Sequence, residues 1–329
     1  MLFGDIFGNK KTLDILRHDI KNEKLAHAYL LSGPPYIGKY KILKEFASLL
    51  QCEHHDFCGH CNNCVLSIKN THPDITVIED LPIEKSEQEL HRTNVFLEPR
   101  KTNTITIKDI KTIQERLYHT TDSPYSIILI GDIERMNKEA ANSLLKVIEE
   151  PPSKKLLFLF STKDISRVRP TIISRCKRLD LHAPTEEETK DFLDKQDFKI
   201  HNVDELLKFI PNSPGYLFTI AKSPETLEAI RERVTYLEEV LEDKDLYRVF
   251  KYAGDMKTSQ EALQIIEHLE TYFYWLSKHT SKSLEKISFI EKALEVITKT
   301  KKYLGANVSS KLAMEQCMLQ IHPLIHQLL

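Results

Sequence analysis

Apolar positions along the first half of the chain switch repeatedly between two periods. Leu13, Leu16 and Ile20 recur at helical spacing and predict a helix over residues 10–21. Ala28-Tyr29-Leu30-Leu31-Ser32 is a short apolar run that stops at Gly33, which predicts a buried strand. Ile42, Leu43, Phe46, Leu49 and Leu50 then share one helical face. Strand, loop 33–39 and helix in that order make a βα unit. The alternation continues with predicted strands at 75–79, 127–130, 156–160 and 178–181. Helical faces lie between them, at Ile107, Ile110, Ile113 and Leu117, and at Ala141, Leu144, Leu145 and Ile148. The latter face ends at Pro151-Pro152, which cannot continue a helix. Runs such as Ile127-Ile128-Leu129-Ile130 are apolar on both faces, as a parallel sheet covered by helices on both sides requires. Residues 80–104 are polar, lack a period and predict a long loop.

Beyond Ala183-Pro184-Thr185 the strand pattern stops. Thr185 is placed to cap a helix over 186–195 whose first turn is acidic. Asn212-Ser213-Pro214-Gly215 predicts a turn. From Pro224 onward only helical patterns occur, over 224–243, 257–279, 284–303 and 308–328. Tyr272, Phe273, Tyr274 and Trp275 form an aromatic patch that reads as core. The expected organisation is a parallel α/β domain over 1–182, a small helical domain over 183–222, and an all-helical domain over 223–329.

Composition narrows the class. The chain has 329 residues, 29% charged and 41% hydrophobic, the balance of a globular protein with two or three domains. No apolar run approaches the roughly 18 residues that span a membrane. Met1 to Asp19 has no apolar core and no small-residue cleavage site, so a cytoplasmic protein without membrane attachment is expected. A formal net charge of −2 argues against a chain that holds DNA mainly by its own surface. Any DNA contact is expected to be local or shared, and directed at phosphates.

Residues 33–40 read Gly-Pro-Pro-Tyr-Ile-Gly-Lys-Tyr. Gly33, Gly38 and Lys39 fit the phosphate-loop pattern G-x-x-x-x-G-K-[ST], after a strand and before a helix. The glycines allow a tight loop whose amides face a phosphate, and the lysine adds a positive charge. Tyr40 departs from the pattern: a Ser or Thr hydroxyl holds Mg²⁺ there, and a phenol sits at the far end of a rigid ring. Nucleotide binding (ATP or ADP) is therefore expected to be weak or absent, and hydrolysis absent.

Four of six cysteines fall in one short stretch: Cys52, Cys58, Cys61 and Cys64, spaced C-x5-C-x2-C-x2-C. Four thiolates close a tetrahedral Zn²⁺ shell at about 2.3 Å per bond, which is a structural rather than a catalytic arrangement. The same ligands serve an iron–sulfur cluster, for which nothing else in the sequence supplies a use. Cys176 and Cys317 stand apart and read as ordinary buried cysteines.

Cys58-Gly59-His60-Cys61-Asn62-Asn63-Cys64 followed by His72-Pro73-Asp74, the stretch Asn142 to Pro152, and Arg169-Pro170-Thr171-Ile172-Ile173-Ser174-Arg175-Cys176 together resemble the bacterial clamp-loader family of AAA+ proteins. Gly8-Asn9 and His27-Ala28-Tyr29-Leu30 fit as well, so the resemblance covers residues 1 to about 220. It implies a P-loop AAA+ domain with a zinc-binding insert at 52–64, a helical lid, and a C-terminal collar that joins subunits into a pentameric ring. In AAA+ proteins the third strand ends in Asp-Glu for Mg²⁺ and water; here it runs Ile130-Gly131-Asp132-Ile133. Two registers are open. Either Gly131 stands at the metal position and Asp132 at the catalytic one, or Asp132 takes the metal position and Ile133 the catalytic one. Both lack a group. Tyr40 and Gly131 resemble the delta-prime branch, which has a degraded nucleotide site.

That resemblance implies a subunit without ATPase activity of its own, acting within DNA polymerase III. It implies gamma or tau ATPase subunits and a delta subunit as partners, and a sliding clamp and primed DNA as targets. It assigns Arg175 as an arginine finger reaching a neighbouring subunit's ATP, and places Ser161 or Thr162 at the family's sensor position. The rival expectations are a gamma-like clamp-loader ATPase and an AAA+ adaptor in DNA repair. A third, a kinase of small nucleotides, is disfavoured by the Ser174-Arg175-Cys176 motif.

Overall fold

The computed structural model describes residues 8–54, 56–78, 104–117, 123–194, 203–221, 223–256, 258–280, 283–306 and 308–328. Apart from Thr104, the expected loop 80–104 lies outside the described residues, as does Glu79 of the second predicted strand. The chain divides into two units, one of residues 1–188 with 213–215, the other of residues 189–212 with 216–329.

The first unit is a five-stranded sheet in the order β2-β3-β4-β1-β5, with every pairing parallel. The strands are β1 (Ala28–Ser32), β2 (Ile75–Ile78), β3 (Ser126–Ile130), β4 (Leu156–Thr162) and β5 (Lys177–Asp180). Alternate residues separate two apolar layers. Tyr29, Leu31, Ile127, Leu129, Leu157 and Leu159 pack with Leu13 and Leu16 of α1 (Lys10–Lys21) and with Ile42, Leu43 and Phe46 of α2 (Lys39–Gln51). Ala28, Leu30, Ile128, Ile130, Phe158 and Phe160 pack on the other side. Their partners are Ile110 and Ile113 of α4 (Ile107–Arg116) and Leu144 and Ile148 of α5 (Lys138–Glu149).

Local chemistry sets the helix starts. The Asn137 side chain accepts the Ala140 amide at 2.8 Å and caps α5. Asp109 accepts the Thr106 amide at 2.7 Å in a capping box at α4. The strand β1 is also tied to its edge by a buried polar group. The Asp19 carboxylate takes the Tyr29 hydroxyl at 2.8 Å and the Lys177 ammonium at 2.5 Å. Two short helices went unpredicted, α3 (Asn62–Ile68) among the cysteines and α6 (Pro170–Ile173) before Arg175.

The second unit holds helices α8 (Val203–Leu207), α10 (Pro224–Glu242), α11 (Leu246–Gly254), α12 (Ser259–His279), α13 (Leu284–Gly305) and α14 (Ser310–Leu328), with most of α7 (Glu186–Asp194) and α9 (Pro214–Ala221). Its core contains the fully buried Phe209, Leu237, Leu269, Phe273, Ile297, Met314, Ile321 and Ile325. Two of the four aromatic-patch residues, Tyr272 and Phe273, are core, whereas Tyr274 is 58% exposed. The turn expected at 212–215 is corrected: Pro214 opens α9, because a fixed φ and a missing N–H suit the first helical position.

Candidate functional site

The phosphate loop joins β1 to α2 on the α1/α2 face of the sheet. Gly33 is required by space: a β-carbon there would lie 2.5 Å from the Leu181 carbonyl oxygen and 2.8 Å from Ile37 Cδ1. Gly38 is required by conformation, with φ of 88° at the helix start. Lys39 is 6% exposed and bends back onto its own loop, donating to the Gly33 carbonyl at 2.7 Å and the Pro34 carbonyl at 2.5 Å. Burial lowers its pKa to about 8; Asp132 and Glu134 pull upward and Lys163 downward. Ser213 Oγ donates to the Pro35 carbonyl at 3.2 Å, and the Gly215 amide to the Tyr36 carbonyl at 3.0 Å. Four successive loop carbonyls thus have donors from the chain itself.

Strand alternation places Gly131 on the same face as α2. A β-carbon at Gly131 would lie 3.9 Å from Tyr40 Cδ2 and 4.0 Å from Ser161 Oγ. Gly131, rather than Asp132, therefore faces residue 40. Asp132 turns away with φ of 48°, donates its amide to Ser161 Oγ at 3.3 Å, and pairs its carboxylate with Lys163 Nζ at 2.7 Å. Glu134 Oε1 accepts the Lys163 amide at 3.0 Å. Ser161 lies on the phosphate-loop face. Thr162 follows on the opposite alternation, and its hydroxyl accepts the Asp164 amide at 3.2 Å within a local turn. The residues present do not fit a magnesium ion: residue 40 brings a ring and residue 131 brings hydrogen, where a hydroxyl and a carboxylate are needed.

Arg175 follows α6 on an exposed turn. Its guanidinium pairs with Glu149 at 2.6 Å and donates to the Thr171 carbonyl at 2.9 Å, with 36% of the side chain exposed. The pair closes α6 onto the end of α5.

The four cysteines come together. Cys52 ends α2, Cys58 precedes the turn at Gly59 (φ 78°), Cys61 caps α3, and Cys64 lies in its first turn. All four sulfurs lie within 4.8 Å of one another. Cys52–Cys58 is 3.8 Å and Cys58–Cys64 is 4.0 Å. Tetrahedral bonds of about 2.3 Å would hold sulfurs about 3.8 Å apart, so one zinc ion fits. A multi-iron cluster ties its thiolates to separate irons and needs them farther apart. The Cys61 amide donates to Cys58 Sγ at 3.3 Å and the Cys64 amide to Cys61 Sγ at 3.4 Å, which favours thiolate. Burial raises the Cys52 thiol, but the amides of Cys58, Asp56 and His54 outweigh it and hold its pKa at about 6. His54, Cys58 and His60 form a more exposed alternative set that shares one of these ligands.

Comparison of the sequence with known proteins finds similarity to subunits of DNA polymerase III. The family described as "DNA polymerase III, delta subunit" matches residues 8–185. The tau subunit of DNA polymerase III from Bacillus subtilis is 27% identical over 179 residues, 54% of this chain and 28% of that protein. The delta-prime subunit from Pseudomonas aeruginosa is 34% identical over 155 residues, 46% of this chain and 42% of that protein. The delta-prime subunit from Bacillus subtilis is 27% identical over 245 residues, 73% of this chain and 67% of that protein. The match thus spans under half of the tau subunit and of the Pseudomonas protein. Among solved structures, a gamma subunit-related protein from Thermotoga maritima aligns with a TM-score of 0.44 and 17% identity, over 94% of this chain and 99% of that one. No helix among the described residues is long and apolar enough to cross a membrane.

Proposed function

The chain belongs to the clamp-loader family of DNA polymerase III, and from that premise we propose that it is a non-hydrolysing subunit of the delta-prime kind. The observation that carries this is the paired loss at the magnesium position. Tyr40 replaces the hydroxyl and Gly131 the carboxylate, and the two residues face each other across the site. Phosphoryl transfer rests on positioned charge, and here that charge is missing at both places. Lys39 donates to two loop carbonyls, contacts it would give up to reach a phosphate.

In this role the chain braces an ATPase subunit and offers Arg175 to that subunit's nucleotide. The guanidinium's present partners, Glu149 at the end of α5 and the Thr171 carbonyl in α6, are exposed and exchangeable for a phosphate. The all-helical region 223–329 joins gamma or tau and delta subunits in a ring, and region 183–222 serves as the lid. The cysteine cluster holds a structural zinc. Clamp and primed DNA are engaged through the assembled complex, in keeping with the net charge of −2.

Mg·ATP hydrolysis by the purified chain, with Lys39→Ala as control, tests the first half. No Lys39-dependent turnover is expected. Clear turnover would favour a gamma- or tau-like ATPase, a second reading that the matches to tau and gamma subunits support. Arg175→Ala tests the second half. It should leave assembly with the ATPase subunits intact and lower their DNA-stimulated hydrolysis; unchanged hydrolysis refutes the finger.

A further inference from the structure

Among the described residues, a pair of metal-ligating rings lies outside the phosphate loop and the cysteines. His322 and His326 stand one turn apart on α14, and both rings aim at the C-cap of α10. His322 Nε2 is 2.6 Å from the Asp243 carbonyl oxygen, His326 Nε2 is 3.2 Å from the same oxygen, and the two Nε2 atoms are 3.1 Å apart. His322 is 5% exposed.

One hydrogen serves this triangle only by being shared. If both Nε2 atoms carry hydrogen, two donors meet at 3.1 Å over one oxygen. If only His322 does, its hydrogen is split between the Asp243 carbonyl at 2.6 Å and the His326 lone pair at 3.1 Å, and that lone pair also faces the carbonyl at 3.2 Å. A single cation above the plane of the triangle would take one lone pair from each of the three atoms. Metal–nitrogen bonds of about 2.1 Å across a 3.1 Å separation give an N–M–N angle of about 95°, within the range of imidazole-bound ions.

The surroundings favour positive charge as well. Asp243 caps the carboxyl end of the 19-residue α10, and His326 lies in the last turn of α14, so two negative helix ends meet there. The Asp243 carboxylate is held by Arg248 at 2.7 Å and leaves the carbonyl as the third donor.

We propose that His322, His326 and the Asp243 carbonyl form a second metal site, for a divalent ion of the zinc, nickel or copper class, clamping the end of α10 to α14. Two imidazoles and one carbonyl leave at least one coordination position for water, so the site is weaker than the four-thiolate site and exchangeable.

Cobalt distinguishes the two sites. Full-length chain with the cysteine site filled by zinc is titrated with Co²⁺ and Ni²⁺. One further equivalent is expected to bind, with a d–d spectrum lacking thiolate charge transfer, and to raise the thermal midpoint. His326→Gln should weaken that equivalent more than tenfold and abolish the rise, while the zinc content of the cysteine site stays unchanged. His322→Gln should do the same; because His322 is buried, circular dichroism of each variant establishes that it folds. Binding of only one metal per chain, or equal cobalt affinity in wild type and His326→Gln, overturns the proposal.

Discussion

Restoring the magnesium ligands is a double perturbation whose halves should not add. Gly131→Asp places a β-carbon 3.7 Å from the Ile78 carbonyl, 3.9 Å from Tyr40 Cδ2 and 4.0 Å from Ser161 Oγ, all ordinary contacts. The carboxyl carbon lies one bond further, about 1.5 Å, and the nearest side chain in reach is the Tyr40 ring. Alone, the substitution overpacks the site and half-buries a charge beside that ring, at a cost of about 1–3 kcal/mol. Tyr40→Thr alone removes the ring and leaves space, costing about 1–2 kcal/mol for a half-buried aromatic. Together the carboxylate enters the vacated space and finds the new hydroxyl. The double variant should therefore be more stable than the sum of the singles by about 1–2 kcal/mol.

Urea unfolding of the four proteins gives the cycle. Fluorescent ATP binding, with and without Mg²⁺, gives the functional half. Magnesium should strengthen binding only in the double variant, by about tenfold, which is about 1.4 kcal/mol. Additive stabilities would show that Gly131 and Tyr40 do not share a site. A magnesium effect in either single variant would show that one ligand sufficed and that the paired loss is not what silences the loop.

Three further outcomes follow from other residues. Gly33→Ala forces a β-carbon to 2.5 Å from a backbone carbonyl and should cost about 2–3 kcal/mol in urea unfolding, whereas Gly254→Ala, whose nearest neighbour is Lys311 Cε at 3.5 Å, should cost nothing; similar midpoints for the two would refute the space argument. Stripping zinc with a strong chelator should release one equivalent from the cysteines and lower the thermal midpoint of the sheet unit by more than 5 °C, and an unchanged midpoint removes the structural role. His268 is buried, and burial first, then Arg233, lowers its pKa to about 4. The unfolded chain takes up this proton near pH 6.5 and the folded chain only near 4, so stability should fall as pH drops through that window, by up to about 3 kcal/mol. His268→Phe should flatten the acid slope, and a slope equal to wild type would show that His268 is already protonated in the fold.

The β1–loop–α2 unit was legible because its residue types admit few alternatives. A glycine against a carbonyl, a glycine at positive φ and a lysine at fixed spacing leave one local structure. The cysteines were legible for the same reason, since four thiols in thirteen positions, two of the spacings C-x2-C, have few other uses. The register at Gly131 was not legible. β3 is apolar on both faces, so its alternation carries no phase until Ile127 and Leu129 are seen against α2 and Ile128 and Ile130 against α4 and α5. The His322–His326 spacing was readable as an i, i+4 pair, but its third donor is a backbone carbonyl 79 residues away, which no side-chain pattern records. α3 was hidden because its seven residues, lying among cysteine ligands, show too little of a period.

The loop also explains how a phosphate-binding shape persists without the groups that hold magnesium. Residues 34–36 of this loop are exposed, so an unpaired carbonyl there costs little, yet each has a donor from the chain itself. Here Lys39 serves Gly33 and Pro34, Ser213 serves Pro35, and the Gly215 amide serves Tyr36. The close approach of Gly215, where a β-carbon would meet the Tyr36 oxygen at 2.5 Å, admits no larger residue. The loop is therefore satisfied by its own chain. A catalytic loop needs the opposite, a lysine free to follow phosphate charge. The same contacts that hold this loop also occupy Lys39, so in the proposed non-hydrolysing role they act beside the missing magnesium ligands at residues 40 and 131.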